Sequence, residues 1–221
     1  MNNNENLTPQ EALQRLKDGS QRFISGVRSV ESLLSHSKMS DLAANGQKPF
    51  AIVLTCSDSR SPAEIIFDQG LGDLFVIRVA GNVVAPSLLA SIEFAASEFN
   101  TPIVVVLGHT QCGALKATLA NVRNPRQPLS SSLSELIGRV RPSVEIAIHD
   151  CGNNPANDRE ILEQATEENV RRSMQIIFEQ SKIVRERVRD GRLVIEGAVL
   201  DISNGQVNYL NSGEEVTACT D

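Results

Sequence analysis

The sequence predicts an α/β fold: a single domain with a mostly parallel central sheet flanked by helices. Three observations carry this. Four short apolar runs, "PFAIVLT" (49–55), "LFVIRVA" (74–80), "PIVVVLG" (102–108) and "RLVIEGAVLD" (192–201), are near-continuous rather than alternating, as strands buried on both faces are. Helical patterns separate them, which implies strand–helix–strand units. No repeat, linker or low-complexity tract divides the 221 residues, a length that fits one domain with a substantial core.

In chain order, residues 1–6 are polar, and 1–7 read as a disordered start. Thr8, Pro9 and Glu11 then open a helix: Thr8 caps, Pro9 takes the first helical position and Glu11 completes a capping box. Leu13, Leu16, Phe23 and Ile24 give that helix an apolar stripe, which must cover this core or a neighbouring subunit. Residues 35–48 read as loop or short helix. "APSLLASIEFAASEF" (85–99) forms a helix between the second and third strands, and "ALKATLANV" (114–122) one after the third. A long helical region from about 131 to 190 is broken by "HDCGNNPAND" (149–158). A last short strand follows the Asn204-Gly205 turn, through Val207 and Leu210, and 211–221 form a tail.

Net charge of −6 argues against a broad nucleic-acid surface, which needs a basic face. No apolar run nears the roughly 20 residues that span a bilayer. The start lacks the basic patch and apolar core of a signal peptide. Four cysteines in a chain this long do not make a disulfide scaffold. A cytoplasmic protein with reduced thiols is the expectation.

The cysteines carry the chemistry. "LTCSDSR" (54–60) puts Cys56, Asp58 and Arg60 just past the first strand, and "VVVLGHTQCGA" (104–114) puts His109 and Cys112 just past the third. Sites in open parallel sheets form at the carboxyl ends of strands. If these strands are neighbours, two thiolates and an imidazole converge. That donor set suits Zn2+ and leaves a fourth position open, as in a catalytic site. Taken singly, each cysteine more often packs as a small hydrophobe; the conjunction at two strand ends is what points to metal. Cys151 reads as a loop or packing residue and Cys219 as a tail residue. Asp58 and Arg60 read as a carboxylate held by a bidentate guanidinium. By themselves they could be a structural ion pair before "SPAE". Beside a metal, Asp58 could be a fourth ligand, a base or an orienting acceptor.

The C-x-D-x-R and H-x-x-C segments resemble the signature of the β-class carbonic anhydrases, in their plant-like branch. The resemblance runs in order through "GQKPFAIVLTCSDSRSPAEIIFDQGLGDLFVIRVAGN", "ASIEFAASEF", "VVVLGHTQCGA" and "LVIEGAVLDISNGQVNYL", covering about residues 8–210. It implies one Zn2+ per subunit on Cys56, His109 and Cys112, and an Asp58–Arg60 dyad beside it. It implies a pocket for carbon dioxide or bicarbonate that involves Gln47, Phe75, Val83, Phe94 and the Gly113 amide. It also implies a homodimer or homotetramer, with pocket residues drawn from two subunits and the N-terminal helix packed on a partner. Phe94 stands where a Tyr is usual, and Leu200 replaces a frequent Tyr in "GAxYD". The implied activity is reversible hydration of carbon dioxide by a zinc-bound hydroxide. Hydrolysis of carbonyl sulfide or carbon disulfide on the same scaffold is the alternative. A metal-binding protein without catalysis and a thiol redox protein are weaker rivals, the second because it needs closely spaced sulfurs. His36 and His149 are read as exposed loop residues, not proton shuttles.

Overall fold

The computed structural model describes residues 7–27, 36–125 and 129–210. Residues 1–6, the tail 211–221 and Cys219 lie outside them. Five strands, β1 (Ala51–Thr55), β2 (Leu74–Arg78), β3 (Ile103–His109), β4 (Val194–Leu200) and β5 (Val207–Leu210), form one sheet in the order β2-β1-β3-β4-β5. The first four are parallel and β5 is antiparallel to β4. β1 and β3 are buried at every residue, which is why they read as unbroken apolar runs. The apolar runs overestimate the ladder at their ends: Phe50 already bonds the Asp73 carbonyl outside the sheet.

One face of the sheet carries Ile52, Leu54, Val104, Val106, Ile195 and Val199. The helices α4 (Pro86–Glu98), α7 (Asp158–Gln180) and α8 (Lys182–Arg189) cover it. α7 comes unusually close. A Cβ at Gly108 would lie 2.7 Å from Val170, and one at Gly197 2.6 Å from Met174 and 3.0 Å from Val170. Two glycines in adjacent strands therefore make the groove in which α7 lies.

The opposite face, with Ala51, Val53, Val105, Leu107, Ala198 and Leu200, packs against Phe50, Phe67 and Leu16. Leu16 belongs to α1 (Pro9–Ser25), which starts with the predicted capping box: Thr8 Oγ1 accepts from the Glu11 amide at 3.2 Å, and Glu11 Oε2 accepts from the Thr8 amide at 2.8 Å. The apolar stripe of α1 is taken up by the chain's own sheet. Ala12 and Leu16 are fully buried there with Leu13 and Phe23 beside them, and only Ile24 points outward. Of the two covers the sequence left open for this stripe, the chain's own core takes Ala12 and Leu16.

The remaining helices are α2 (His36–Asn45), α3 (Ala63–Ile66), α5 (Gly113–Arg123) and α6 (Ser131–Cys151). The stretch 35–48 is thus mostly helix. The loop expected at 149–158 is shorter: α6 runs through Cys151, one 3₁₀ turn spans Pro155–Asn157 and α7 starts at Asp158. His36 and His149 lie in helices rather than loops, with His149 in the last turn of α6. A second break, between α7 and α8, went unpredicted. Buried Ser181 makes it, capping the Val184 amide at 3.1 Å and donating to Glu93 at 2.7 Å.

Candidate metal centre

β1 and β3 are sheet neighbours with Thr55 opposite Leu107, so the residues after their carboxyl ends meet. The donor atoms of Cys56, His109 and Cys112 lie within 4.8 Å of one another, and all three residues are buried. The sulfurs are 4.0 Å apart. Two sulfurs on one tetrahedral zinc stand about 3.8 Å apart, given a Zn–S bond near 2.3 Å. Gln111, between His109 and Cys112, adopts the left-handed region at φ 58°, which turns the chain so that ligands three apart face one point. Cys112 then occupies the N-cap position of α5, where the helix dipole favours a sulfur anion.

His109 is oriented for ligation. Its Nδ1 lies 2.8 Å from the Thr110 carbonyl, an acceptor only, so Nδ1 carries the proton. Nε2 is left with a free lone pair, buried and without a hydrogen-bond partner. A buried imidazole nitrogen without a partner is costly unless a cation takes the lone pair. The donor set therefore fits a dication of the zinc type.

The electrostatics agree. The Cys112 thiol, then His109 and the Gly81 and Asp58 amides, outweigh burial and pull the Cys56 pKa down to about 4. The same sulfur–sulfur hydrogen bond, then burial, pushes Cys112 up, while the Leu115 and Ala114 amides oppose it. Burial disfavours charging His109, yet Cys56, the Thr110 carbonyl and Asp58 together raise its pKa. Two sulfurs sharing one proton are ready to share a metal instead.

Asp58 and Arg60 form the expected pair. Arg60 Nε donates to Oδ1 at 2.9 Å and Nη2 to Oδ2 at 2.8 Å, with the Arg60 amide also on Oδ1 at 3.0 Å. This bidentate grip is the chief reason that the Asp58 pKa falls well below the carboxylate range. Asp58 Oδ2 stands 3.9 Å from His109 Nε2, so the carboxylate borders the donor cluster.

The pocket residues divide. Val83 packs in one cluster with Cys56 and Cys112, and Gly113 opens α5 beside Cys112 with open space around its Cα. Gln47, Phe75 and Phe94 are not brought to this cluster. Gln47 is exposed in the segment entering β1, whose five residues, about 16 Å of strand, separate it from Cys56. Phe75 pairs with Ile52, about 10 Å down the strand from Thr55. It joins Phe94 and Phe99 in an aromatic cluster with centroids 5.8–6.2 Å apart. Cys151 ends α6 and donates to Gln164 at 2.8 Å, a packing role as expected.

Sequence reasoning missed Arg78, which ends β2. Its Nε donates to the Cys56 carbonyl at 3.2 Å and its Nη2 to the Asp58 carbonyl at 2.6 Å, clamping the ligand loop. A lone arginine closing the run "LFVIR" was the available signal.

Comparisons with known proteins agree with this geometry. The Carbonic anhydrase family profile matches residues 51–207. Carbonic anhydrase 2 of Mycobacterium tuberculosis is 38% identical over 215 residues, covering 96% of this chain and 99% of that protein. Beta carbonic anhydrase 3 of Arabidopsis thaliana is 28% identical over 203 residues, covering 88% and 75%. The crystal structure of the β-carbonic anhydrase CafA of Aspergillus fumigatus superposes with a TM-score of 0.71 at 26% identity, covering 93% of this chain and 91% of that one. The chain belongs to the carbonic anhydrase family, as a lyase of its β class.

Proposed function

We propose that the chain hydrates carbon dioxide reversibly to bicarbonate and a proton, with one Zn2+ per subunit held by Cys56, His109 and Cys112. The observation that carries this is the buried, partnerless Nε2 of His109 facing two sulfurs that share a proton. Zinc there would supply a strong nucleophile at neutral pH, because it lowers the pKa of a coordinated water to about 7. The protein's own residues do the rest. Asp58 is too weak a base to take a proton near neutrality, so its Oδ2 acts as a hydrogen-bond acceptor that aims the nucleophile. Arg60 keeps that carboxylate ionised and turned towards its own guanidinium. In this reading the Gly113 amide, at the start of α5, donates to a substrate oxygen, and Val83 is an apolar wall.

The proton leaves to buffer: His149 is 89% exposed and paired with Asp150 away from the cluster. Gln47, Phe75 and Phe94 belong to the pocket only if a second copy of the chain presents them, so the proposal includes a homodimer or larger assembly. No helix among the described residues is long and apolar enough to cross a membrane. Hydrolysis of carbonyl sulfide draws no support from the named relatives.

Stopped-flow hydration of carbon dioxide by metal-quantified protein tests the reading. Rapid turnover at one zinc per chain is expected. A zinc-loaded protein that turns over carbonyl sulfide but not carbon dioxide would overturn it.

A further inference from the structure

We infer that Asn169 of α7 is a positioning residue for the metal centre: through the backbone of Gly81 it fixes the amide that donates to the Cys56 sulfur. The inference rests on the metal reading above and extends it to side chains 88 and 91 positions along the chain from the carbonyls they grip.

The segment 79–84 lies between the donor cluster and the helices α6 and α7. On the metal side, the Gly81 amide donates to Cys56 Sγ at 3.4 Å. On the helix side, three side chains grip its carbonyls in sequence. Asn169 Nδ2 donates to Gly81 O at 2.8 Å, Ser173 Oγ to Asn82 O at 3.0 Å and Arg139 Nη1 to Val84 O at 2.9 Å. Asn169 and Ser173 are 2% and 3% exposed, so these bonds exchange little with water.

The segment needs holding. Gly81 and Asn82 both take positive φ, 69° and 42°, an uncommon succession that persists only where the surroundings fix it. A Cβ at Gly81 would lie 3.1 Å from Ala114 and 3.2 Å from Val140, so the turn is wedged between α5 and α6 as well. Relaxing it would swing the Gly81 amide off the sulfur.

The helix is itself set at the required height. Buried Ile161, Ala165, Asn169, Ser173 and Ile177 recur every four residues along α7, and Gly108 and Gly197 let this helix sink onto the sheet. The two polar members of an otherwise mostly apolar stripe meet the two carbonyls of the left-handed pair. An amide bond to a coordinating sulfur tunes how strongly it donates to a metal, and loss of such outer partners costs metal affinity.

The test uses Asn169→Leu, branched at the same carbon and without a donor, and Arg171→Ala on the exposed side of α7 as control. Zinc affinity is read by competition with a chromophoric chelator, and the sulfur-to-metal absorption band is read in the cobalt(II)-substituted protein. Asn169→Leu is expected to weaken zinc binding about 10–100-fold and to shift the cobalt band, with Arg171→Ala unchanged in both. Ser173→Ala is expected to move both in the same direction by less. A folded Asn169→Leu protein with wild-type zinc affinity and an unmoved cobalt band would overturn the inference, whatever its melting temperature. Should Asn169→Leu not fold, an unmoved band in Ser173→Ala overturns it equally. Wild-type protein that takes up no stoichiometric zinc would instead overturn the metal reading, and this inference with it.

Discussion

The two ends of strand β1 differ in kind. At its carboxyl end, Cys56, Asp58, Arg60, His109 and Cys112 meet within one chain, buried or clamped. At its amino end, Gln47 is exposed, and the nearby Phe75–Phe94–Phe99 cluster opens to solvent, with Phe94 54% exposed. The first is a donor cluster assembled within one polypeptide. The second is an aromatic cluster partly exposed to solvent. The difference teaches that the donor cluster is a property of the single fold, whereas the aromatic cluster is left open to solvent by it.

The harshest way to break the contrast is to remove a sulfur. Cys56→Ser or Cys112→Ser leaves a neutral hydroxyl that does not take over a thiolate's bond to zinc. Either change is expected to abolish zinc retention by elemental analysis and to lower hydration by far more than the roughly 100-fold typical of outer-shell losses. A serine variant that kept one zinc per chain would mean that the carboxyl end is not the metal centre.

Asp58→Ala should separate binding from turnover. Zinc stays, because the three ligands are untouched, while the acceptor that aims the nucleophile is gone. A fall in kcat of about 100-fold is expected, the scale for losing a group that orients the reacting atoms. Full stopped-flow activity in this variant would remove Asp58 from the mechanism.

The other end of the strand is probed by Phe94→Glu. Since Phe94 is mostly exposed in one chain, the fold and the zinc content should hardly change. If copies of the chain meet over this surface, light scattering will show a smaller assembly. kcat/KM will then drop by about 100-fold, as for a misassembled pocket. Unchanged mass together with unchanged activity would assign the aromatic cluster to ordinary surface.

How legible these regions were follows the same division. The sheet could be read because β1 and β3 are buried on both sides and therefore apolar at every position. The ligands could be read because sulfur and imidazole are rare and sit just after those runs. Order of strands, which makes Cys56 and Cys112 neighbours, was only a condition in the sequence; it is the β1–β3 pairing that meets it. The brace on Gly81 was not read at all, because a carbonyl gripped by a side chain leaves no mark on residue type. A trace did exist: Asn169 and Ser173 interrupt an apolar stripe of period four, and buried polar residues need partners. The break at Ser181 hid for a related reason, since a capping serine inside a long amphipathic run looks like one more polar surface residue.

The smallest effect expected is on stability, in Arg60→Ala. Arg60 holds the Asp58 pKa below its unfolded value of about 3.9. A carboxyl group lowered in this way adds stability above about pH 3.9 and loses it as pH falls through the folded value. The sign follows from proton counts: in that window the unfolded chain binds more protons, so stability rises with pH. Because Arg60 is half exposed, solvent screens the pair, and the melting temperature at pH 7 should fall by no more than a few degrees. Denaturant titrations of metal-stripped protein check this without interference from zinc loss. The gap between wild type and Arg60→Ala should be present at pH 7 and shrink as pH drops below about 3.9. Turnover of the zinc-loaded variant at pH 7 should fall much further than stability does, because a freed Asp58 no longer points one oxygen at the donor cluster. A gap that instead widened in acid would show that Arg60 serves the fold at some other contact, and would move it out of the reaction centre into the scaffold.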